Sequence, residues 1–299
     1  MATLPKLGSS VKKGHAMTSR RFGELLWALR LISHHAGLEA GCAAAAVLPL
    51  RVHARLAECA FRQFGPWLCR QRLNRTRHAL LRLGCPPEHA ANLAPHVLAR
   101  DWLRRVTRKR LYALPFDAQQ QWLRGMLWRD PQALWAAAGG RRRVVCLLPS
   151  GDPELAMAAL LDRPGAPVHY FLNSPHREDS PTHRALKQLQ RRGHRLDIGQ
   201  PGQHGRAWRQ LRQGATVLTV LGPELLVASS PEPAPIRLAR LAGVPLMLLG
   251  HRQETSDAGT VHVLREFAPH ELHAGTHALQ SVARAFLADA PHDWPDLDR

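Results

Sequence analysis

Acidic residues are in short supply. The 299-residue chain has 23 Asp+Glu against 41 Lys+Arg, a formal net charge of +18 with histidine neutral. A surplus of that size points to an anionic partner: nucleic acid, lipid head groups or an acidic protein. Aromatic residues are sparse too, with two Tyr and seven Phe beside eight Trp. There is no RNP-like aromatic motif, zinc finger or helix-turn-helix signature, which argues against nucleic acid as the partner. The five cysteines, Cys42, Cys59, Cys69, Cys85 and Cys146, form no Cys-x-x-Cys pair. That leaves no zinc-ligand set and no disulfide framework, so we expect reduced, mostly buried thiols and no metal or other cofactor. Long apolar runs are missing: the best, Ala40 to Leu50, has 11 residues, and a membrane span needs ~20. Residues 1–20 are polar and basic with no apolar h-region behind them, so they read as a flexible tail rather than a secretory signal. Gly-x-Gly-x-x-Gly and Gly-x4-Gly-Lys-Ser/Thr are both absent, which removes the usual dinucleotide and P-loop signals.

What is present divides near Gly139–Gly140. Residues 21–140 read as helix throughout. Phe22, Leu25, Leu26, Leu29 and Ile32 recur at helical spacing, and the pattern continues over 52–64, 68–83, 88–110 and 118–138. Gly84 stops one helix and Pro86–Pro87 opens the next. In 141–299, short apolar runs alternate with amphipathic stretches. Strands are predicted over 144–148, 168–172, 195–198, 216–221, 244–249 and 260–265. Helices are predicted over 153–161, 181–192, 207–212, 236–241 and 270–287. Such alternation predicts an α/β fold, a mostly parallel sheet flanked by helices and preceded by a helical half. Continuous apolar blocks predict strands buried on both faces.

Several ordered motifs in 50–299 carry a resemblance. VVCLLPSGDPELAMAALL, residues 144–161, has the form of a strand, loop and helix with Gly151 and Glu154 in a His-x4-Asp/Glu-like frame. LRQGATVLTVLGPE (211–224) is a glycine-led, valine-rich strand. IRLARLAGVPLMLL (236–249) runs from helix through glycine into a strand. RLNRTRHALLRLG is followed by a proline-started helix, and APHDWPDLDR closes the chain. This set resembles the lysophospholipid acyltransferase superfamily, nearest to the late acyltransferases of lipid A biosynthesis. The resemblance implies transfer of an acyl chain from acyl carrier protein or acyl-CoA to a hydroxyl or amine, in the cytoplasm or peripherally on the inner membrane. It also implies a histidine base oriented by the motif acid.

The sequence departs from that pattern at the base. Five positions before Glu154 stands Pro149, and residues 221–224 read Leu-Gly-Pro-Glu where the family has an aspartate. The catalytic candidates are therefore Glu154 with its loop neighbours Ser150 and Asp152. Ser150 lacks the Gly-x-Ser-x-Gly elbow of a serine hydrolase. His251 and His176 lie at expected strand ends and could substitute as bases, because loops at one edge of a parallel sheet converge. Three other histidines sit five residues before an acid, at His34–Glu39, His53–Glu58 and His96–Asp101. On a helix that spacing turns the partner about 140° away. Arg141, Arg142, Arg143, Arg237, Arg240 and Arg252 are candidates for contact with phosphate or an acyl carrier. Residues 21–50 suit either an anionic membrane surface or a helical core. Three readings follow: an acyltransferase-like enzyme, an inactive homologue that binds or assembles with a protein partner, and a basic nucleic-acid-associated protein.

Overall fold

The computed structural model describes residues 50–82, 84–137, 141–161, 163, 169–173, 190–191, 195–199, 203–222, 232–253 and 259–293. All lie in one unit, Pro49–Arg299. The basic tail, the helix expected over 21–35, most of that over 181–192, His176 and the closing Trp-Pro segment fall outside them.

The chain is mixed α/β. Three helices come first: α1 (Leu50–Leu68), α2 (Arg70–Arg82) and the 27-residue α3 (Pro87–Ala113), which starts on a proline in its first turn. Ala54, Ala57 and Phe61 of α1 pack at helical spacing against Ala99, Trp102 and Leu103 of α3. Leu73, Leu80 and Leu81 of α2 pack against the N-terminal half of α3. The helix α4 (Phe116–Arg124) then leads into the sheet.

The sheet has seven strands: β1 (Leu127–Arg129), β2 (Val144–Leu147), β3 (His169–Asn173), β4 (Arg195–Gly199), β5 (Thr216–Val220), β6 (Leu246–Arg252) and β7 (Thr260–Phe267). Their spatial order is β1-β7-β6-β2-β5-β3-β4. Every pairing is parallel except β6 with β7. The central strand β2 is buried along its whole length. Its side chains alternate, Val145 and Leu147 toward one core and Val144, Cys146 and Leu148 toward the other. The first core is closed by α4, α5 (Leu134–Ala137) and α6 (Pro153–Leu161). The second is closed by α7 (His204–Arg212), α8 (Ala234–Ala242), α9 (Pro269–His273) and α10 (His277–Asp289).

Two expectations need correction. Residues 118–138 are not one helix. Gly125 ends α4, Leu127–Arg129 joins the sheet edge beside β7, and Asp130 restarts the chain by accepting the Leu134 and Trp135 amides at 2.9 and 2.8 Å. An edge strand of three residues is too short to show periodicity. The last helix, expected over 270–287, is two helices separated at Gly275, whose φ of +122° lies in a region that favours glycine.

Candidate functional site

The Pro149–Glu154 loop leaves the carboxyl end of β2, where ligands gather in open parallel sheets. Leu148 donates its amide to Leu249 of β6 at 2.8 Å, so the loop starts in register with its parallel neighbour. Gly151 then takes φ +56°, and a Cβ on it would stand 2.3 Å from Nδ1 of His251. Pro153 opens α6, and Asp152 just before it accepts the Leu155 amide at 3.2 Å, the N-cap arrangement that satisfies an otherwise orphaned helix donor.

His251 sits at the end of β6 and is 1% exposed. Its Nδ1 accepts the backbone N–H of Asp152 at 2.8 Å, and its own amide donates to Ser150 Oγ at 3.2 Å. The Ser150 hydroxyl thus meets the backbone of His251, not its ring. Gly259, with φ +78°, closes the other side, and a Cβ there would lie 2.5 Å from Nε2. With Nδ1 accepting, the neutral imidazole carries its proton on Nε2.

Helix α3 brings two arginines to the same loop. Arg108 Nε donates to Asp152 Oδ2 at 2.6 Å, and its Nη1 lies 3.4 Å from Glu154 Oε2. Arg104, 1% exposed, donates from Nη1 to the carbonyls of Gly151 and Asp293 at 3.2 and 3.1 Å, and from Nη2 to Asp101 at 3.3 Å. Asp101 also meets Arg72 and Arg105, at 3.3 and 2.8 Å. The 3-10 turn Pro291–Asp293 completes the junction: the Asp293 carbonyl accepts the Gly151 amide, and its carboxylate accepts that of Gln253. Five chain segments therefore meet at Gly151.

The charges here respond to burial and to one another. Burial lifts the Glu154 carboxyl above its ordinary range, with Arg108 opposing and Asp152 adding. Burial works against the Arg108 charge as well, but Asp152 and Glu154 outweigh it and hold the guanidinium more firmly protonated than usual. At Arg104 burial wins and lowers the pKa against the pull of Asp101, Asp152 and Asp293. Asp101 is lowered: its own burial is outweighed by Arg104, Arg105 and Arg72 together.

Of the residues singled out from sequence, Ser150, Asp152, Glu154 and His251 come together. The arginines do not. Arg141 and Arg142 are exposed, and Arg143, fully buried, immediately precedes β2 at the end opposite the loop. Arg143 lies 5.3 Å over the Trp135 ring and 3.7 Å from Glu266. Arg240 pairs with Glu232 at 2.8 Å, and Arg237 lines a separate groove with Trp208 and Leu241. Arg252 adjoins His251 but turns to Asp289 at 2.8 Å and stacks on Phe286. His96, one of the histidines spaced five residues before an acid, faces Glu58 at 3.6 Å rather than Asp101. Among the described residues, no group of three or more His, Cys, Asp or Glu is arranged to hold a metal ion.

Arg104 and Arg108 were legible only as part of a basic cluster. A finer signal exists: Val97, Asp101, Arg104, Arg108 and Leu111 recur at helical spacing on the seam that buries α3. Charged residues in register with core positions mark an internal ion-pair network. No family model matches the chain, and no curated protein matches it.

Proposed function

We infer that this chain is an acyltransferase-like protein that binds without turning over, its strand-end loop converted from a proton-transfer centre into a structural junction. The observation that carries this reading is the fate of the proton acceptor. Acyl transfer to a hydroxyl or amine needs a base within hydrogen-bond reach of the acceptor's proton. The motif position is Pro149, whose ring has no titratable group. The imidazole at the loop, His251, has its basic nitrogen engaged by the Asp152 amide and its ring wedged between two glycines. Asp152 is held by Arg108 and by the helix it caps. The net charge of +18 supports an anionic partner for the binding role, an acyl carrier protein or another acidic protein.

One observation favours an active enzyme instead. Glu154 keeps a quarter of its side chain exposed, 26%, and its carboxyl is raised by burial, as a glutamate base requires. Thiol release from acyl-CoA and from acylated carrier protein, measured with hydroxyl and amine acceptors, separates the two. The binding reading expects release at the donor's background rate, unchanged in Glu154→Ala. Turnover by the native chain that Glu154→Ala abolishes while remaining folded overturns it and establishes the second reading.

A further inference from the structure

Helix α1 has two apolar faces. One is the seam packed on α3. The other carries Leu56 at 56%, Phe64 at 58% and Trp67 at 88% exposure, with Val52 and Leu68 continuing it. Large apolar side chains in a row on one helix mark an interaction surface rather than scatter. The same hairpin is strongly basic: α1 and α2 together hold eight arginines and a single acid, Glu58. Arg55, Arg70, Arg75 and Arg77 are exposed beside the stripe. A groove of about 930 Å³ between α1, α2 and α3 is lined by Arg62, Trp67, Arg70, Asn74, Arg77 and Asn92, so cationic and amide donors gather at the border of the apolar row.

We propose that the α1–α2 hairpin docks on an anionic lipid bilayer, with the Leu56–Phe64–Trp67 stripe in the acyl boundary and the groove arginines on lipid phosphates. Charge complementarity selects this occupant: an apolar stripe flanked by arginine and ending in tryptophan suits the interface between hydrocarbon and anionic head groups. Nucleic acid would use the arginines and Trp67 but leave Val52, Leu56 and Leu68 without a counterpart. Among the described residues no helix is long and apolar enough to cross a membrane, so this is attachment to a surface. The proposal does not depend on whether Glu154 is catalytic.

Cosedimentation of the full chain with phosphatidylcholine vesicles, with and without phosphatidylglycerol, tests it. Binding is expected only to the anionic vesicles. The Leu56→Ser/Trp67→Ser double variant, whose charge is unchanged, is expected to weaken it about tenfold or more. Arg70→Gln/Arg77→Gln is expected to weaken it and flatten its salt dependence, whereas the equal charge change Arg141→Gln/Arg142→Gln leaves it within about twofold. Circular dichroism confirms that each variant is folded. Four results would overturn the proposal: no binding to anionic vesicles; binding indifferent to the apolar double variant; equal losses from the two arginine pairs; or a change of oligomeric state in the apolar variant without loss of vesicle binding, which would assign the stripe to a second copy.

Discussion

Helix α3 and the α1–α2 hairpin are both rich in arginine, yet they spend it differently. In α3, Arg104, Arg105 and Arg108 are matched by Asp101, Asp152 and Glu154. Arg100 reaches the Gln253 carbonyl at 2.7 Å. In the hairpin eight arginines face one glutamate, and Arg70, Arg75 and Arg77 lie in solvent. The surplus of +18 is therefore not a uniform property of the surface. Where arginine is in register with core positions it becomes part of the fold, and where it borders exposed Trp67 and Leu56 it is left for a partner. Counting charges along the chain does not separate the two cases, whereas asking which face of the helix carries them does.

The strongest way to break that contrast is to remove the carboxylate on which α3 relies. Asp152→Ala leaves Arg108 without its closest partner and uncaps α6. Breaking a buried pair by deleting one member costs about 3–5 kcal/mol. Arg77→Gln in the hairpin is expected to change stability by less than about 0.5 kcal/mol, the usual range at an exposed site. Urea denaturation of both variants measures the difference. Equal effects would mean that the two arginine populations are not distinct.

A smaller loss is expected from Gly151→Ala. The residue lies at φ +56°, and the added methyl would meet the His251 ring and carbonyl. Overpacking costs about 1–3 kcal/mol, and the left-handed conformation adds about 1–2 kcal/mol for any residue with a Cβ. Gly84, also left-handed with φ +86°, has nothing near its missing Cβ, so Gly84→Ala isolates the conformational share. The midpoint difference between the two alanine variants reads out the contact with His251 alone.

Much of the fold follows from local pattern. The residues of α6, from Pro153 to Leu161, and the run Thr216–Val220 were evident from a proline start and from continuous apolar side chains. Local pattern fails where an element exists only through its neighbour. Leu127–Arg129 is a strand because β7 lies beside it, and three residues cannot declare a period. The site divides the same way. Pro149, Ser150, Asp152 and Glu154 are contiguous, and the resemblance drew attention to them. Asp293 lies 189 residues from the Arg104 that it meets, and no spacing along the chain forecasts that pairing. Arg104 and Arg108 fall between these cases, visible in the helix phase but masked by the basic cluster around them.

The finest test of the contrast compares two carboxyls beside arginines of α3. Asp101, among three arginines, has a lowered folded pKa. The stability it contributes is fully present above the ordinary aspartate value and is lost as pH falls through the lowered one. Glu154 runs the other way. Burial raises its folded pKa, so its protonated form is favoured in the native state, and its contribution falls as pH climbs from the ordinary glutamate value through the raised one. Asp101→Asn is therefore expected to lose stability at neutral pH and to flatten acid unfolding. Glu154→Gln is expected to change neutral stability by about 0.5 kcal/mol or less, since its pair with Arg108 is partly exposed and screened. Its signature is the missing decline in melting temperature between weakly acidic and neutral pH. If Glu154→Gln lost as much as Asp101→Asn at neutral pH, the Arg108–Glu154 contact would be a structural pair of the same kind as Asp101 with its arginines. The carboxyl at the loop's open edge would then no longer stand apart from the network behind it.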